Sequence, residues 1–282
     1  MINKSILITG CSSGIGLCVA EGLQKRGYRV FATARQTKDV EILKQNGFDD
    51  ALQLDLDDSL SIKNAVDQVL EKTGGKLYAL FNNGAYGQAG AVEDLTRETL
   101  RKNFETNLFG THELTTLITP VMRKQGHGRI IQNSSVLGFI NLPYRGSYNA
   151  TKHALEGLTD TLRLELHNTN IKISLIEPGP ITSKFRANAF ASYKKNIDKE
   201  NSYHRETYEA MERRLTKEGP AAPFTLPPEA VLKKVIHALE SPTPKIRYYV
   251  TFPTYLFGTL KRLLPGQWLD KVLRKVSAGE QK

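Results

Sequence analysis

The chain has 282 residues, of which 40% are apolar and 24% charged, a composition typical of a folded protein with one sizeable core. No stretch approaches the roughly 18 consecutive apolar residues of a membrane-spanning helix. Few residues precede the first apolar run at Ile6, which leaves no room for an export signal. A cytoplasmic protein is therefore expected.

The net charge of +10 is unevenly distributed. The tail, residues 245–282, holds eight basic residues against two acidic ones, so the rest of the chain is nearly balanced. Such an excess suits nucleic acid or an anionic membrane surface. Nucleic acid is not expected as a partner, because no recognition element accompanies the charge. Peripheral contact of the tail with the inner face of a membrane stays open.

Short apolar runs alternate with segments of helical length. Strands are predicted at Ile6–Ile8, Val30–Ala34, Ala51–Leu54, Leu77–Phe81, Arg129–Gln132, Ile171–Ile176 and Arg247–Thr251. Continuous apolar strands separated by helices favour a parallel sheet covered on both faces. The expected fold class is α/β, a doubly wound Rossmann fold with a seven-stranded, mostly parallel sheet and helices on both faces, in a single domain over 1–282. A long polar insertion, residues 184–226, interrupts the alternation, and its length suggests a lid over substrate.

A glycine-rich segment follows the first predicted strand and opens a helix. Glycines in such a turn let the backbone approach a pyrophosphate, and the free N–H groups of the helix attract its negative charge. An ordinary tight turn is the alternative, but the strand, turn and helix context favours a dinucleotide. The predicted cofactor contacts here are Gly10, Ser12, Ser13, Gly14, Ile15 and Gly16.

The second predicted strand leads into Arg35 rather than a carboxylate. In dinucleotide folds this strand ends beside the adenosine ribose, where an acidic side chain binds the 2′-hydroxyl of NAD and an arginine accommodates the 2′-phosphate of NADP. NADP(H) is therefore the expected cofactor. A solvated surface arginine is the alternative interpretation.

Tyr148 and Lys152 stand four residues apart in a predicted helix, so both project from one face. Chance alone gives such a pair about once in a chain of this composition, so the spacing is weak by itself. The pair is suited to acid-base chemistry at neutral pH, because a nearby ammonium and a cationic nicotinamide favour the phenolate and lower the pKa of the phenol.

Several motifs, taken in order and spacing, resemble the short-chain dehydrogenase/reductase family from Ser5 to about Thr251. They are the glycine segment, Asp55-Leu56, Asn82-Asn83-Gly84-Ala85, Asn107, Ser135, Tyr148 with Lys152, and Pro178-Gly179-Pro180-Ile181. In sequence style the chain is similar to the hydroxysteroid and retinol dehydrogenase branch and to related bacterial NADP-dependent aldehyde reductases.

The resemblance implies a catalytic set of four residues. Tyr148 is then the general acid that protonates a carbonyl oxygen as hydride arrives, or the base in the reverse direction. Lys152 supplies charge and binds the ribose hydroxyls. Ser135 donates to the substrate oxygen, and Asn107 holds a water of the proton relay.

The resemblance also implies further cofactor contacts, with two departures from the family pattern. Near the adenine these are Asp55 and Leu56; elsewhere they are Asn82, Gly84, Pro178, Gly179, Ile181 and Ser183. Gly84 and Ala85 are exchanged relative to the family's usual Ala-Gly order, which makes cofactor packing there less certain. Ser183 stands where a threonine is common and keeps the hydroxyl.

The expected function is transfer of hydride between NADP(H) and an apolar aldehyde or ketone, or the corresponding alcohol, as in a carbonyl reductase or hydroxysteroid dehydrogenase. No metal is expected, because the six histidines show no ligand spacing. Phe139, Leu142 and Tyr144 are candidate pocket walls, or equally core. A non-catalytic NADP-binding sensor or scaffold protein is the alternative function. The resemblance suggests a homodimer or homotetramer, with the helix at 147–167 as a contact.

The tail contains an amphipathic helix after a Pro-Gly break. One face carries Trp268, Leu269, Val272, Leu273 and Val276, and basic residues lie opposite. Such a helix either docks on its own protein or lies in a membrane interface. Docking is favoured, because amphipathic helices of folded proteins mostly face a core.

Overall fold

The computed structural model describes residues 4–220 and 222–280. The strands are β1 (Ser5–Ile8), β2 (Arg29–Ala34), β3 (Leu52–Gln53), β4 (Ala79–Asn82), β5 (Gly128–Asn133), β6 (Ile171–Glu177) and β7 (Arg247–Tyr249). The helices are α1 (Gly14–Lys25), α2 (Thr37–Gln45), α3 (Ser59–Thr73), α4 (Arg97–Phe104), α5 (Gly110–Gln125), α6 (Gly146–Glu165), α7 (Phe185–Asn196), α8 (Arg205–Thr216), α9 (Glu229–Glu240), α10 (Phe252–Leu263) and α11 (Gly266–Glu280). Residues 1–3 of the predicted domain, 221 of the insertion and 281–282 of the tail lie outside the described ranges.

The seven strands form one sheet in the order β3-β2-β1-β4-β5-β6-β7. Every pairing within it is parallel, because each connection crosses over through at least one helix before the next strand starts. The predicted seven-stranded, mostly parallel doubly wound fold is therefore confirmed, and among the described residues its sheet is parallel throughout.

Alternate side chains of the central strands enter two different cores. Ile6 and Ile8 pack in a cluster with residues of α1, α2 and α9. Leu7, between them, packs in a second cluster with residues of α3, α5 and α6. Strands buried on both faces must be apolar at every position, which is why they appear in the sequence as continuous runs.

The insertion has an apolar core of its own. Tyr193 of α7 and Tyr208 of α8 are buried together with Met211, and Ala89 and Ala91 after β4 join them. The Tyr208 hydroxyl accepts a hydrogen bond from the Ala91 amide at 2.9 Å. A β-bridge between Ile181 and Leu226 closes the neck of the insertion. The segment is thus anchored on the body of the protein.

The tail forms α10 and α11, and α11 docks on the protein as favoured from the sequence. Leu273 is buried in a cluster with Phe257 of α10 and with Leu137, Leu142 and Tyr148. Trp268 and Val276 of the predicted face remain exposed. Within the described ranges, every helix is too short or too polar to cross a membrane.

Candidate active site

Strand order reverses between β1 and β4, and a crevice at the carboxyl ends of such strands is the usual ligand site of a doubly wound sheet. Here the crevice contains a cavity of about 600 Å³. Its wall brings together many of the predicted site residues: Gly10, Ser12, Ser13, Gly14, Ile15, Gly84, Ser135, Tyr148, Lys152, Pro178, Gly179, Ile181 and Ser183.

The turn after β1 needs glycine for two physical reasons. Gly10 and Gly14 adopt φ angles of +71° and +61°, in the left-handed region that side chains disfavour. Gly16 lies just behind the cavity wall, and a Cβ there would come within 2.2 Å of the Gly10 carbonyl oxygen. Ser13 precedes α1 without capping it through its side chain, so it leaves the first-turn N–H groups available to an anion.

Helix α6 carries the Tyr148 and Lys152 pair on the face that meets the cavity. Lys152 is buried, and its Nζ donates to the Asn133 carbonyl oxygen at 2.7 Å and lies 5.7 Å from the centre of the Tyr148 ring. Burial lowers the pKa of Lys152 to about 8, although the charge of Glu156 acts in the opposite direction. The predicted placement of both groups on one face is thus present in the fold.

The pKa of Tyr148 behaves differently from the expectation. Burial raises the pKa of this phenol well above its ordinary value, and a hydrogen bond with Ser135 acts in the opposite direction. The neighbouring ammonium is visible in the sequence, whereas the loss of solvent on burial is not, and burial is the larger effect here. The protein alone therefore keeps Tyr148 in its protonated form at neutral pH.

Ser135 begins the short turn that follows β5. Its Oγ accepts a hydrogen bond from the Leu137 amide at 3.1 Å, which fixes the side chain beside the cavity. The Val136 amide donates to the Pro178 carbonyl oxygen at 2.8 Å, and this bond holds the turn against the segment after β6. The two loops that carry Ser135 and Pro178 are thus joined directly.

Asn107 lies behind the cavity wall, in a π-helical turn at Glu105–Phe109. Its Oδ1 accepts from the Tyr86 amide at 3.0 Å, and its Nδ2 donates to the Tyr86 carbonyl at 2.9 Å and to Thr151 Oγ1 at 3.2 Å. The side chain therefore braces the loop after β4 against α6, one residue before Lys152. These contacts describe a positioning residue rather than one exposed to substrate.

The two adjacent asparagines at the end of β4 have different surroundings. Asn82 is buried and donates to Thr115 Oγ1 at 2.9 Å, so the structure turns this predicted cofactor contact toward α5 and away from the cavity. Asn83 lines the cavity instead and donates to the Thr9 carbonyl at 3.0 Å. Asn133, at the end of β5, also lines it and was missed, although its position at a strand's carboxyl end is a usable signal.

The Gly84-Ala85 exchange does not strain the backbone. Neither residue has a positive φ, so neither position requires glycine for its conformation. The Gly84 amide donates to Thr9 Oγ1 at 2.8 Å, and a Cβ at this position would lie 3.0 Å from Leu56 Cδ1. Glycine here leaves room for Leu56 to come close.

The predicted adenine-side residues lie outside the cavity. Arg35 follows β2 and is exposed, and Asp55 and Leu56 follow β3, which pairs with β2. The three residues thus lie at the carboxyl ends of neighbouring strands, in the direction in which an extended dinucleotide would leave the cavity. The structure does not bring them into contact with the Tyr148 and Lys152 pair.

The loop after β6 completes the cavity wall next to the glycine turn. A Cβ on Gly179 would come within 2.1 Å of Thr251 Oγ1, so this position needs glycine to approach the segment after β7. A Cβ on Gly14 would lie 3.0 Å from Cβ of Ser183, which places Ser183 against the glycine turn. The insertion therefore starts at the point where the two loops meet.

Apolar side chains from the insertion and the loop before α6 form the opposite wall. They are Leu142, Tyr144, Phe185, Ala189, Met211 and Leu215. Leu142 and Tyr144 were predicted as walls, whereas Phe139 stacks on Tyr249 with ring centres 5.5 Å apart and does not line the cavity. The space that faces Tyr148 thus suits an apolar molecule.

A cluster of buried charges lies one helical turn beyond Lys152. Arg247 of β7 donates to Glu177 Oε1 at 2.6 Å and to Asp160 Oδ2 at 2.5 Å, and its guanidinium also contacts Glu156. Glu177 is fully buried, and burial together with the charge of Glu156 raises the pKa of the Glu177 carboxyl well above its ordinary value. The cluster joins β6, β7 and α6 and was not predicted.

The parallel seven-stranded sheet, the glycine turn at its switch point and the buried Tyr148 and Lys152 pair define a doubly wound protein of the dinucleotide-binding class. A family profile described as short chain dehydrogenase matches residues 4–194. The chain belongs to the short-chain dehydrogenase/reductase family, whose members are oxidoreductases acting on CH–OH and C=O groups.

Relatives extend this match over nearly the whole chain. An uncharacterised oxidoreductase of Escherichia coli, YbbO, is 43% identical over 97% of this chain and 95% of its own. Human 17-beta-hydroxysteroid dehydrogenase type 1 is 32% identical over 89% and 78%, and human retinol dehydrogenase 8 is 31% identical over 92% and 85%. A short-chain dehydrogenase structure from Streptomyces avermitilis superposes with a TM-score of 0.78 at 29% identity, over 99% and 98%. The predicted family and branch are confirmed.

Proposed function

We propose that this protein is an NADP(H)-dependent carbonyl reductase, reversible as an alcohol dehydrogenase, with an apolar aldehyde or ketone as substrate. The observation that carries the proposal is the placement of Tyr148, Lys152 and Ser135 on the wall of one cavity that the glycine turn also lines. A non-catalytic NADP-binding protein would not need a general acid (Tyr148), a cation that adjusts its acidity (Lys152) and a hydrogen-bond donor for the substrate (Ser135) in the same cavity.

The residues of the cavity fit a dinucleotide. Gly10 and Gly14 line the cavity with backbone alone, and the N-terminus of α1 offers N–H groups to a pyrophosphate. Asn133 Oδ1 is a buried acceptor without a partner among the described residues and lies in the cavity wall. Bound NADPH supplies the hydride; the fixed donors and charges of the wall supply the rest.

Tyr148 acts as the general acid toward the carbonyl oxygen. Its raised pKa keeps the proton on the phenol at neutral pH, which suits reduction better than oxidation. Ser135 donates to the same oxygen and orients the substrate. Lys152 holds a positive charge beside the phenol and favours the phenolate that proton transfer leaves behind. Asn107 positions α6, as its contacts with Tyr86 and Thr151 indicate.

The whole chain works as one catalytic domain in this proposal, with the insertion as a lid over an apolar substrate. The apolar wall and the cavity volume of about 600 Å³ favour a molecule larger than a simple ketone. The human relatives are named as a hydroxysteroid and a retinol dehydrogenase, which supports the same substrate class. Exposed Phe109, Leu158 and Leu164, on or beside α5 and α6, support a homodimer or homotetramer through this region.

A substrate panel tests the proposed function. NADPH absorbance is followed with aliphatic aldehydes of increasing length, an aromatic ketone, a steroid ketone and retinal. We expect kcat/KM to increase with apolar size until the cavity is filled. NADPH binding measured by fluorescence without turnover of any compound would instead indicate the sensor or scaffold alternative.

Arg35 gives a test of cofactor choice. We expect Arg35→Gln to raise the KM for NADPH by about 10- to 100-fold, since a charge-assisted hydrogen bond contributes ~1.5–3 kcal/mol. The KM for NADH should hardly change, because NADH lacks the 2′-phosphate. Steady-state kinetics with both cofactors measure the ratio, and Arg123→Gln, on the exposed end of α5, is the matched control. Equal losses with both cofactors would contradict the assignment.

A further inference from the structure

The inner face of the two tail helices packs on the body of the protein. Phe257 and Leu273 are buried against Leu137 and Leu142, in the cluster that also holds Tyr148. Ser277 of α11 is part of the cavity wall. The apolar residues of this inner face are therefore occupied by the protein itself and are not free to enter another surface.

Large apolar residues remain on the outside of the same helices. Leu263, at the end of α10, is 73% exposed, and Trp268, in the first turn of α11, is 63% exposed. Leu256 lies seven residues before Leu263, two helical turns away, so both share one face of α10. We call these three exposed residues the tail ridge: Leu256 and Leu263 lie on one face of α10, and Trp268 follows five residues later in the first turn of α11. Such a patch on a folded protein indicates an interaction site.

Positive charge surrounds the tail ridge. Between residues 252 and 278 the chain has one acidic residue, Asp270, against five basic ones. These are Lys261, Arg262, Lys271, Arg274 and Lys275, all on the exposed surface. A Trp and Leu ridge with flanking Lys and Arg is the pattern of a segment that lies at the surface of an anionic bilayer.

A second, basic cavity opens beside the tail ridge. It measures about 240 Å³ and is lined by Lys234, Lys245, Arg247, Tyr248, Tyr249, Tyr255 and Arg262. Tyr255 and Arg262 are seven residues apart on α10, each directly before a leucine of the ridge, so the basic cavity and the ridge occupy adjacent faces of this helix.

The charge available in the basic cavity comes from three of its four cations. Arg247 is engaged by Glu177, Glu156 and Asp160, which neutralise it. Lys234 lies 3.5 Å from the Tyr255 hydroxyl, and Lys245 and Arg262 are exposed. Three cations and a phenol around a small opening match the donor set that a phosphate group requires.

We propose that the tail docks on an anionic phospholipid bilayer, with Leu256, Leu263 and Trp268 in the interface and a lipid phosphate in the basic cavity. A second copy of this chain fits the same surface less well, because a two-fold contact would place the cations of both copies face to face. Docking in this way places the cavity that contains Tyr148 next to the membrane, on the other side of the tail helices.

Vesicle sedimentation with the full chain tests the proposal. We expect the protein to pellet with phosphatidylcholine vesicles that contain phosphatidylglycerol, to stay in solution with phosphatidylcholine alone, and to be released by high salt. Lys234→Gln with Arg262→Gln should weaken partition by about fivefold for each cation removed. Leu263→Ala with Trp268→Ala should weaken it by roughly tenfold or more.

The matched control is Leu60→Ala with Lys76→Gln, an exposed leucine and lysine remote from the tail, and its partition should equal that of the parent. Far-ultraviolet circular dichroism verifies that each variant folds. Equal pelleting with neutral and anionic vesicles overturns the proposal, as does partition unchanged in both tail variants. It is also overturned if inorganic phosphate binds the basic cavity while vesicles do not bind, or if the ridge variants only dissociate an oligomer in size-exclusion chromatography.

Discussion

Tyr148→Phe should reduce kcat for the best carbonyl substrate by about 10²- to 10⁴-fold, the contribution of a positioned general acid. The variant loses only the hydroxyl. Its ring can still pack on Phe185, where the ring centres are 5.3 Å apart, so the fold and the affinity for NADPH should remain nearly unchanged. NADPH absorbance gives kcat, and quenching of intrinsic fluorescence gives cofactor affinity.

The control for this loss is Tyr203→Phe, a tyrosine that is 94% exposed in the insertion. It removes the same hydroxyl from a position without buried contacts and should retain full activity. If Tyr148→Phe retains full activity on a substrate that the parent reduces, another group is the acid. If it loses cofactor affinity in proportion to kcat, the hydroxyl binds the cofactor rather than transferring a proton.

The sheet could be predicted because its cause is local. Ile6, Leu7 and Ile8 are apolar at three successive positions, and a short apolar run that ends at a glycine turn is typical of a strand buried on both faces. The Tyr148 and Lys152 pair was predictable for the same reason, since a spacing of four within a helix fixes a shared face. Family resemblance then supplied the roles that spacing could not.

The features that were missed depend on contacts between distant segments. Which of Asn82 and Asn83 faces the cavity depends on how the chain leaves β4, and neighbouring polar residues give no periodic signal. Glu156 and Arg247 are 91 residues apart, so no local sequence pattern predicts that they pair. The pKa of Tyr148 depends on burial by residues of the tail and insertion, which sequence neighbours do not reveal.

The buried charge cluster leads to the second large effect, on stability. Arg247→Met keeps much of the side-chain volume but leaves Glu177 and Glu156 without their cation. Removing one partner of a buried ion pair typically destabilises a fold by about 3–5 kcal/mol, because the remaining charge stays buried. Urea unfolding near pH 9.5, above the pKa of about 8 of Glu177 in the parent, should show a loss of this size. Arg26→Met, which breaks the exposed pair with Glu240, should cost far less.

The loss in Arg247→Met should shrink as the pH falls. In the parent fold, burial and Glu156 already raise the pKa of Glu177 to about 8, from 4.5 for an unperturbed glutamate. A carboxyl whose pKa is higher in the fold than in the unfolded chain binds protons more tightly in the fold, so acidification through this window stabilises the fold. Removing the guanidinium raises the pKa of Glu177 further, because the guanidinium opposes protonation of this carboxyl. The difference in unfolding free energy between parent and variant should therefore be smallest below about pH 7, where Glu177 is protonated in both, and should grow as the pH rises through 8 toward 9.5. A difference that is constant from pH 6.5 to 9.5 would show that Arg247 stabilises the fold through packing and not through charge.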